Sequence, residues 1–252
     1  MTVTFTINGV QVEAEAGGSV LDTARRYGFE VPSLCHHEAV VPYGACRMCL
    51  TEITRGKRRK ITTSCNYEVL PGIEVRTDTP EVRRHQSMVL ELILAKAPEN
   101  KALRDLAARY GLRVPRFARV ARQKIKDCIL CGLCARVCSE SIGAHALTFT
   151  GRGDLRDVGV PFQGEPRTCI GCGSCASVCP TSCIVMEDTR TTRKIWDRTF
   201  RFVACDVCGG PVMTEEHKEH AIKTAGLPAE YYKTCPTCRQ NGLAGHFARV
   251  GS

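Results

Sequence analysis

Alternation opens the chain. In "TVTFTINGVQVEAE", Val3, Phe5 and Ile7 alternate with threonines, Asn8-Gly9 interrupts, and Val10, Val12 and Ala14 alternate again, which predicts a two-stranded hairpin around a tight turn. Gly17-Gly18 breaks the second strand, Ser19 with Asp22 three residues on predicts a capped helix start, and Gly28 stops that helix. Helical spacing returns at Thr79-Pro80-Glu81, with Val82, Val89, Ile93 and Leu94 among its apolar positions. A second helical segment, "NKALRDLAARYGL", ends at Gly111, and "RVPRFARVARQKIK" follows as a basic connector. The longest apolar stretch, "MVLELILA", is too short and too charged to span a bilayer. "MTVTFTINGV" reads as a strand and lacks the basic start and apolar run of a signal peptide.

A hairpin followed by one helix is how a β-grasp, or ubiquitin-like, domain begins. The rest of the chain is organised by cysteines, 17 of them against a single tryptophan in 252 residues. Disulfides belong to oxidising compartments, whereas clustered C-x-x-C pairs without a leader predict metal binding in a cytoplasmic protein. The formal charge of +9 would ordinarily hint at nucleic acid. Metal-bound cysteines are thiolates, however, so four four-cysteine sites at about −2 each would bring the loaded chain close to neutrality.

The cysteines fall into four groups. Cys35, Cys46, Cys49 and Cys65 are spaced x10, x2 and x15, an open-ended four-thiolate spacing that suits a [2Fe–2S] cluster, with zinc as the alternative. Gly44 lets that loop's backbone come close to a buried inorganic core. His36 and His37 invite a Rieske-type reading, but four cysteines already fill the set, so the histidines count as loop residues. "RGKRRK" reads as a solvated hairpin tip, and His85 as a packed or surface histidine.

Two runs, "CILCGLCARVC" and "CIGCGSCASVCP", repeat the spacing C-x2-C-x2-C-x3-C. They match the two-cluster ferredoxin signature, in which the last cysteine of each run serves the other run's [4Fe–4S] cluster. The match implies one set of Cys128, Cys131, Cys134 and Cys179, and a second of Cys169, Cys172, Cys175 and Cys138. Gly132, Gly171 and Gly173 are expected to let backbone amides approach the sulfides, and Pro180 to turn the chain away. Cys183 is left over, and reads as a buried core cysteine. Finally, "CDVC" and "CPTC" present Cys205, Cys208, Cys235 and Cys238 as two knuckles of a zinc-ribbon-like site, with a third cubane as the alternative. His217 and His220 between them read as surface residues.

The order "PSLCHHEAVVPYGACRMC", "CILCGLCARVCSESIGAHALTFTGRG", "CIGCGSCASVCPTSCI" resembles, over about residues 1–190, the amino-terminal iron–sulfur arm of the large subunit of respiratory complex I. It also resembles the diaphorase small subunit of bidirectional NAD-linked hydrogenases and related formate dehydrogenase subunits. There is one departure: the family's His-x3-Cys-x2-Cys-x5-Cys cluster is missing, because residues 86–127 contain neither cysteine nor histidine. The expected architecture is α+β, with a [2Fe–2S] domain over 1–78, a helical linker over 79–122, a two-[4Fe–4S] domain over 123–190 and a four-cysteine tail over 191–252. No G-x-G-x-x-G after a strand, no P-loop and no acid–base pair is present. The resemblance therefore implies a non-catalytic electron relay between a flavoprotein subunit handling NAD(P)H and a catalytic oxidoreductase subunit, the flavin converting between two-electron and one-electron chemistry. The rival reading, an iron–sulfur sensor on nucleic acid, would need a helix-turn-helix or an aromatic-studded basic face, and neither is evident. A cluster-storage role would need labile rather than closed ligand sets.

Overall fold

The computed structural model describes residues 1–112, 116–117, 125–160 and 166–242. Most of the basic connector and of the linker's carboxy-terminal end lies outside them. The opening pattern folds as the alternation predicts. Strands β1 (Thr2–Ile7) and β2 (Val10–Glu15) pair antiparallel from Thr2↔Glu15 to Ile7↔Val10. Asn8 and Gly9 both take left-handed φ values, 50° and 84°, as the tightest hairpin turn demands. Helix α1 (Val20–Arg26) starts on Ser19, whose Oγ accepts the Asp22 amide at 3.0 Å.

Strands β3 (Leu50–Arg55), β4 (Arg58–Thr63) and β5 (Glu74–Arg76) complete a five-stranded sheet of order β2-β1-β5-β3-β4. β1 and β5 run parallel, Thr6 opposite Glu74. Alternate residues Phe5, Ile7, Val12, Ile53 and Val75 face α1 in one core, and Cys49 and Cys65 are buried in it. The "RGKRRK" segment is the β3–β4 hairpin tip, where Arg59 pairs with Glu52 at 2.6 Å and Glu81 at 2.8 Å.

Helix α2 (Pro80–Lys96) is capped by Thr79 and α3 (Lys101–Arg109) by Asn100. They bury Leu90, Leu94, Leu103 and Ala107 in a second core, which also takes in Cys35, Cys46 and Cys131. The linker helices therefore pack the first cysteine group against the first of the two runs.

The two runs fold as near-repeats. Helices α4 (Leu133–Arg136) and α5 (Ser174–Ser177) each begin on a left-handed glycine, Gly132 at φ 79° and Gly173 at φ 83°. α4 continues into a π-helical turn over Val137–Ser141, while a short hairpin of β6 (Thr148–Thr150) and β7 (Asp157–Gly159) separates the runs.

After the second run the chain folds back. Strands β8 (Met186–Asp188), β9 (Thr192–Ile195), β10 (Arg198–Ala204) and β11 (Pro211–Thr214) form an antiparallel sheet of order β11-β10-β9-β8, followed by helix α6 (Glu215–Ala225). Ile195 and Phe200 of this sheet are buried in a third core with Cys128, Cys134 and Cys175. Among the described residues no helix is long and apolar enough to cross a membrane.

Candidate metal centres

The first cysteine group is assembled from a loop and a strand end. Cys35, Cys46, Cys49 and Cys65 are all buried and none forms a disulfide. Cys46 lends its amide to the Cys35 sulfur, and Leu34 lends its own to the Cys46 sulfur, both at 3.3 Å. The Cys46 thiol beside Cys35 lowers the latter's pKa to about 6, and its own pKa rises because it holds the shared proton. Cys49 and Cys65 form a second such pair, with Cys49 lowered to about 6. Gly44 sits at φ 71°, and a Cβ there would stand 3.1 Å from the Asn66 amide nitrogen.

Neither neighbouring histidine joins this set. His36 Nε2 is 2.7 Å from an Asp22 carboxylate oxygen, and His37 Nδ1 accepts the Ala39 amide. His85 lies partly buried on α2, away from the cysteines' hydrogen bonds.

The eight cysteines of the two runs line two small cavities, of about 10 and 20 Å³. Cys128, Cys131, Cys134 and Cys179 face the first, with Ile125, Ile129 and Val158 among its apolar walls. Cys138, Cys169, Cys172 and Cys175 face the second, with Ile142, Leu147 and Ile195. Each cavity thus draws three cysteines from one run and one from the other.

Burial pushes Cys131 and Cys175 up to about 11 and raises Cys134 further. Thiols so placed give up their protons only to a cation that replaces them. An apolar cavity walled by four such sulfurs and by aliphatic side chains fits an inorganic iron–sulfur core.

Cys183 lines the first cavity as a fifth thiol, its sulfur 3.6 Å from that of Cys179. It is partly exposed, so the expectation of a core cysteine describes it incompletely. Its place in the second run corresponds to Ile142 in the first, and Ile142 lines the other cavity.

The glycines answer to packing. A Cβ on Gly171 would come within 2.6 Å of the Phe200 ring, one on Gly173 within 2.9 Å of the Arg193 guanidinium, and one on Gly132 within 3.1 Å of Phe149. Side chains laid over the runs therefore demand glycine, a pressure the expectation about sulfide approach did not include.

At the carboxy-terminal knuckles the sulfur atoms of Cys205, Cys208, Cys235 and Cys238 all lie within 4.8 Å of one another. The first pair sits in the β10–β11 turn, the second at the start of a helical turn after Thr234. Amides of Cys235 and Cys208 lower the Cys205 pKa to about 6, and the Cys235 thiol pushes Cys238 up to about 12. Four clustered thiols with convergent amides fit a tetrahedral ion. His217 and His220 stand apart on α6 and are half-buried rather than surface residues; His220 Nε2 donates to the Ile142 carbonyl at 2.7 Å.

The contacts of three side chains were not foreseen from the sequence. Trp196, between β9 and β10, donates Nε1–H to the Cys175 sulfur at 3.4 Å. Arg193 donates to the carbonyls of Gly171 and Cys172, and Arg198 to those of Pro166 and Cys169.

Comparison with known proteins fits this geometry. Residues 1–80 match the 2Fe-2S iron-sulfur cluster binding domain, and residues 127–183 match the 4Fe-4S dicluster domain. The chain is 32% identical over 181 residues to the mitochondrial NADH-ubiquinone oxidoreductase 78 kDa subunit of Neurospora crassa, an alignment covering 63% of this chain and 24% of that protein. It is 29% identical over 239 residues to the NADPH-Fe(3+) oxidoreductase subunit alpha of Geobacter sulfurreducens, covering 86% and 28% respectively. The chain thus spans about a quarter of the length of these curated relatives. Among solved structures, a chain of a NAD+-reducing [NiFe]-hydrogenase in the H2-reduced state superposes with a TM-score of 0.56 at 26% identity, over 63% of this chain and 75% of that one.

Proposed function

From a chain that carries a 2Fe-2S binding domain and a 4Fe-4S dicluster domain and resembles subunits of NAD(P)H-linked oxidoreductases, we propose an iron–sulfur electron relay, itself without a catalytic site. In this reading it passes single electrons between a flavoprotein that handles NAD(P)H and a catalytic subunit of the same complex. The observation that carries the proposal is the shared core of Cys35, Cys46 and Cys131. It sets the first cysteine group directly beside the first cubane cavity, so the cluster that the family places between them is not needed for continuity.

The ligand sets proposed are Cys35, Cys46, Cys49 and Cys65 for a [2Fe–2S] cluster, Cys128, Cys131, Cys134 and Cys179 for one [4Fe–4S] cluster, and Cys138, Cys169, Cys172 and Cys175 for the other. Bound clusters of these kinds supply one-electron exchange at potentials set by their surroundings. The chain's own contribution is to hold the thiolates apart from one another, exclude water with aliphatic walls, and fix the spacing between sites. Three cross-links fix it at the junction: Glu140 accepts the Val41 amide at 2.9 Å, Arg136 donates to the Val41 carbonyl, and Ser141 donates to the Ala39 carbonyl. The knuckle cysteines, Cys205, Cys208, Cys235 and Cys238, are proposed to hold a structural zinc ion, with a third cubane as the second reading.

Metal analysis of the anaerobically purified chain tests this inventory, with about ten irons and about one zinc expected. About fourteen irons without zinc would move a cubane to the knuckles. The same preparation should be reduced by dithionite yet oxidise no NAD(P)H. Nicotinamide oxidation by the flavin-free chain would overturn the relay reading.

A further inference from the structure

The β9–β10 turn breaks the symmetry between the two cysteine runs. Trp196 and Asp197 form this turn at φ 54° and 59°, left-handed conformations that a bulky side chain such as tryptophan rarely adopts. Such strain persists only where the surroundings enforce it, and it gathers at functional sites. Here Trp196 is laid between the two cavities and lines both, yet its one polar atom serves only the second, through Nε1–H to Cys175. On either side of it the hairpin adds a guanidinium to the second run's backbone. Arg193 lies 2.9 Å from the Cys172 carbonyl and Arg198 3.0 Å from that of Cys169. Arg193 is also paired with Asp188 at 2.7 Å, so its charge is partly offset.

The first run has different cover. Phe149 rests on Gly132, and Arg156 stacks over the same ring, 4.2 Å from its centroid. Arg136, although inside the run, turns to Glu140 and the Val41 carbonyl. At the first cavity the side-chain donors are the Thr181 hydroxyl and the weaker Cys183 thiol, each 3.6 Å from the sulfur of Cys179, the cysteine lent by the second run, and neither carries a charge.

We propose that the β9–β10 hairpin sets the two cubane sites apart in reduction potential, making the Cys138/Cys169/Cys172/Cys175 site the one reduced first, with Trp196 as the positioning residue. The inference rests on the cluster reading above. Reduction adds one negative charge to a cluster, and an N–H aimed at a ligating sulfur, with guanidinium groups held nearby, stabilises that charge. The shared core places the first cubane site nearer Cys35 and Cys46. An electron arriving from the [2Fe–2S] side would then pass through the first cubane site and come to rest at the second, under the hairpin.

The test is a redox titration of the full chain, anaerobically purified and followed by electron-spin resonance. Cys131→Ser and Cys175→Ser variants identify which cubane signal belongs to which site. In the parent, the signal altered by Cys175→Ser should appear at the higher potential. Trp196→Phe keeps the ring and removes the N–H, and should shift that signal downward while leaving the other in place. Arg198→Gln, which keeps a donor for the carbonyls but removes the charge, should act in the same direction to a smaller extent.

The reverse order in the parent would overturn the proposal. So would variants that move both signals equally or neither, or loss of the second site's iron in both variants, which would make the hairpin a scaffold only. Iron content and the presence of two separable cubane signals report on the cluster reading independently of their order.

Discussion

The runs Cys128–Cys138 and Cys169–Cys179 share spacing, a left-handed glycine before a one-turn helix, and a cysteine lent to the other cavity. They differ in what leans on them. The first is tied to the amino-terminal domain through Arg136, Glu140 and Ser141. The second is covered by the carboxy-terminal sheet through Arg193, Trp196, Arg198 and the Thr214 hydroxyl, which donates to the Ile170 carbonyl at 2.5 Å. Near-identical ligand chemistry thus acquires two settings from its neighbours, one run tied to the amino-terminal domain and the other held under a lid of the chain's own making.

Removing one neighbour should separate the runs most. Cys208→Ser opens the four-sulfur knuckle that fastens the β10–β11 turn, and loss of a structural metal site removes folding energy outright. The expected outcome is loss of the proposed zinc, rapid tryptic cleavage within 198–242, and a disturbed second-site resonance beside an intact first. Equal damage to both resonances would show that the sheet supports the module as a whole.

Gly171→Ala should come next. The new Cβ would meet the Phe200 ring at 2.6 Å in a backbone at φ 66°, and left-handed strain plus overpacking costs about 2–5 kcal/mol. Gly132→Ala meets Phe149 at the less severe distance of 3.1 Å, so its midpoint temperature should fall less under anaerobic heating. Leu130, the first run's counterpart of Gly171, adopts φ 55° with a full side chain. The pressure for glycine at 171 therefore comes from the lid rather than from the loop's own shape.

At the other neighbour, Glu140→Gln weakens the tie to Val41 and Arg136. The cost expected is about 1 kcal/mol, seen as faster hydrogen exchange at the Val41 amide with second-run amides unchanged.

The smallest effect concerns Asp188, whose carboxyl is held below its usual value of 3.8 by the Arg193 guanidinium. A lowered folded pKa contributes stability that is present above the unfolded value and is lost only as pH falls through the folded one. Asp188→Asn should therefore cost less than about 1 kcal/mol, and the same amount at pH 7 as at pH 9. A difference that grows between those values would point to another group.

Much of the first run's side was readable from sequence, and little of the second's. The opening hairpin, the caps at Ser19, Thr79 and Asn100 and the glycine stops act over a few residues and leave local signatures. The grouping of the eight cysteines around two cavities was legible through the two-cluster ferredoxin signature that their spacing matches. The lid was not legible. Trp196 reaches Cys175 across 21 positions and Arg198 reaches Pro166 across 32, and side-chain-to-carbonyl contacts at such range impose no periodicity. His220 failed as a surface residue for the same reason, its partner Ile142 lying 78 positions away. The available signals were slight: a lone tryptophan next to an aspartate in a tight turn, and glycines at 171 and 173 where the first run has Leu130 and Gly132.

The lending of Cys138 and Cys179 between cavities also dictates a timetable. A chain emerging from the ribosome folds from its amino terminus, at about 5–20 residues per second. The first cysteine group can close once β5 has paired with β1, that is, when residues 74–76 have emerged. Neither cubane cavity can close at that point, nor after the first run, since the one lacks Cys179 and the other Cys169, Cys172 and Cys175. For some 40 residues of synthesis, from Cys138 to Cys179, four thiols stand open together, until both cavities can close within the same few seconds. Closure is thereby staggered: the first cysteine group alone, then the two cavities together, with the lid arriving last.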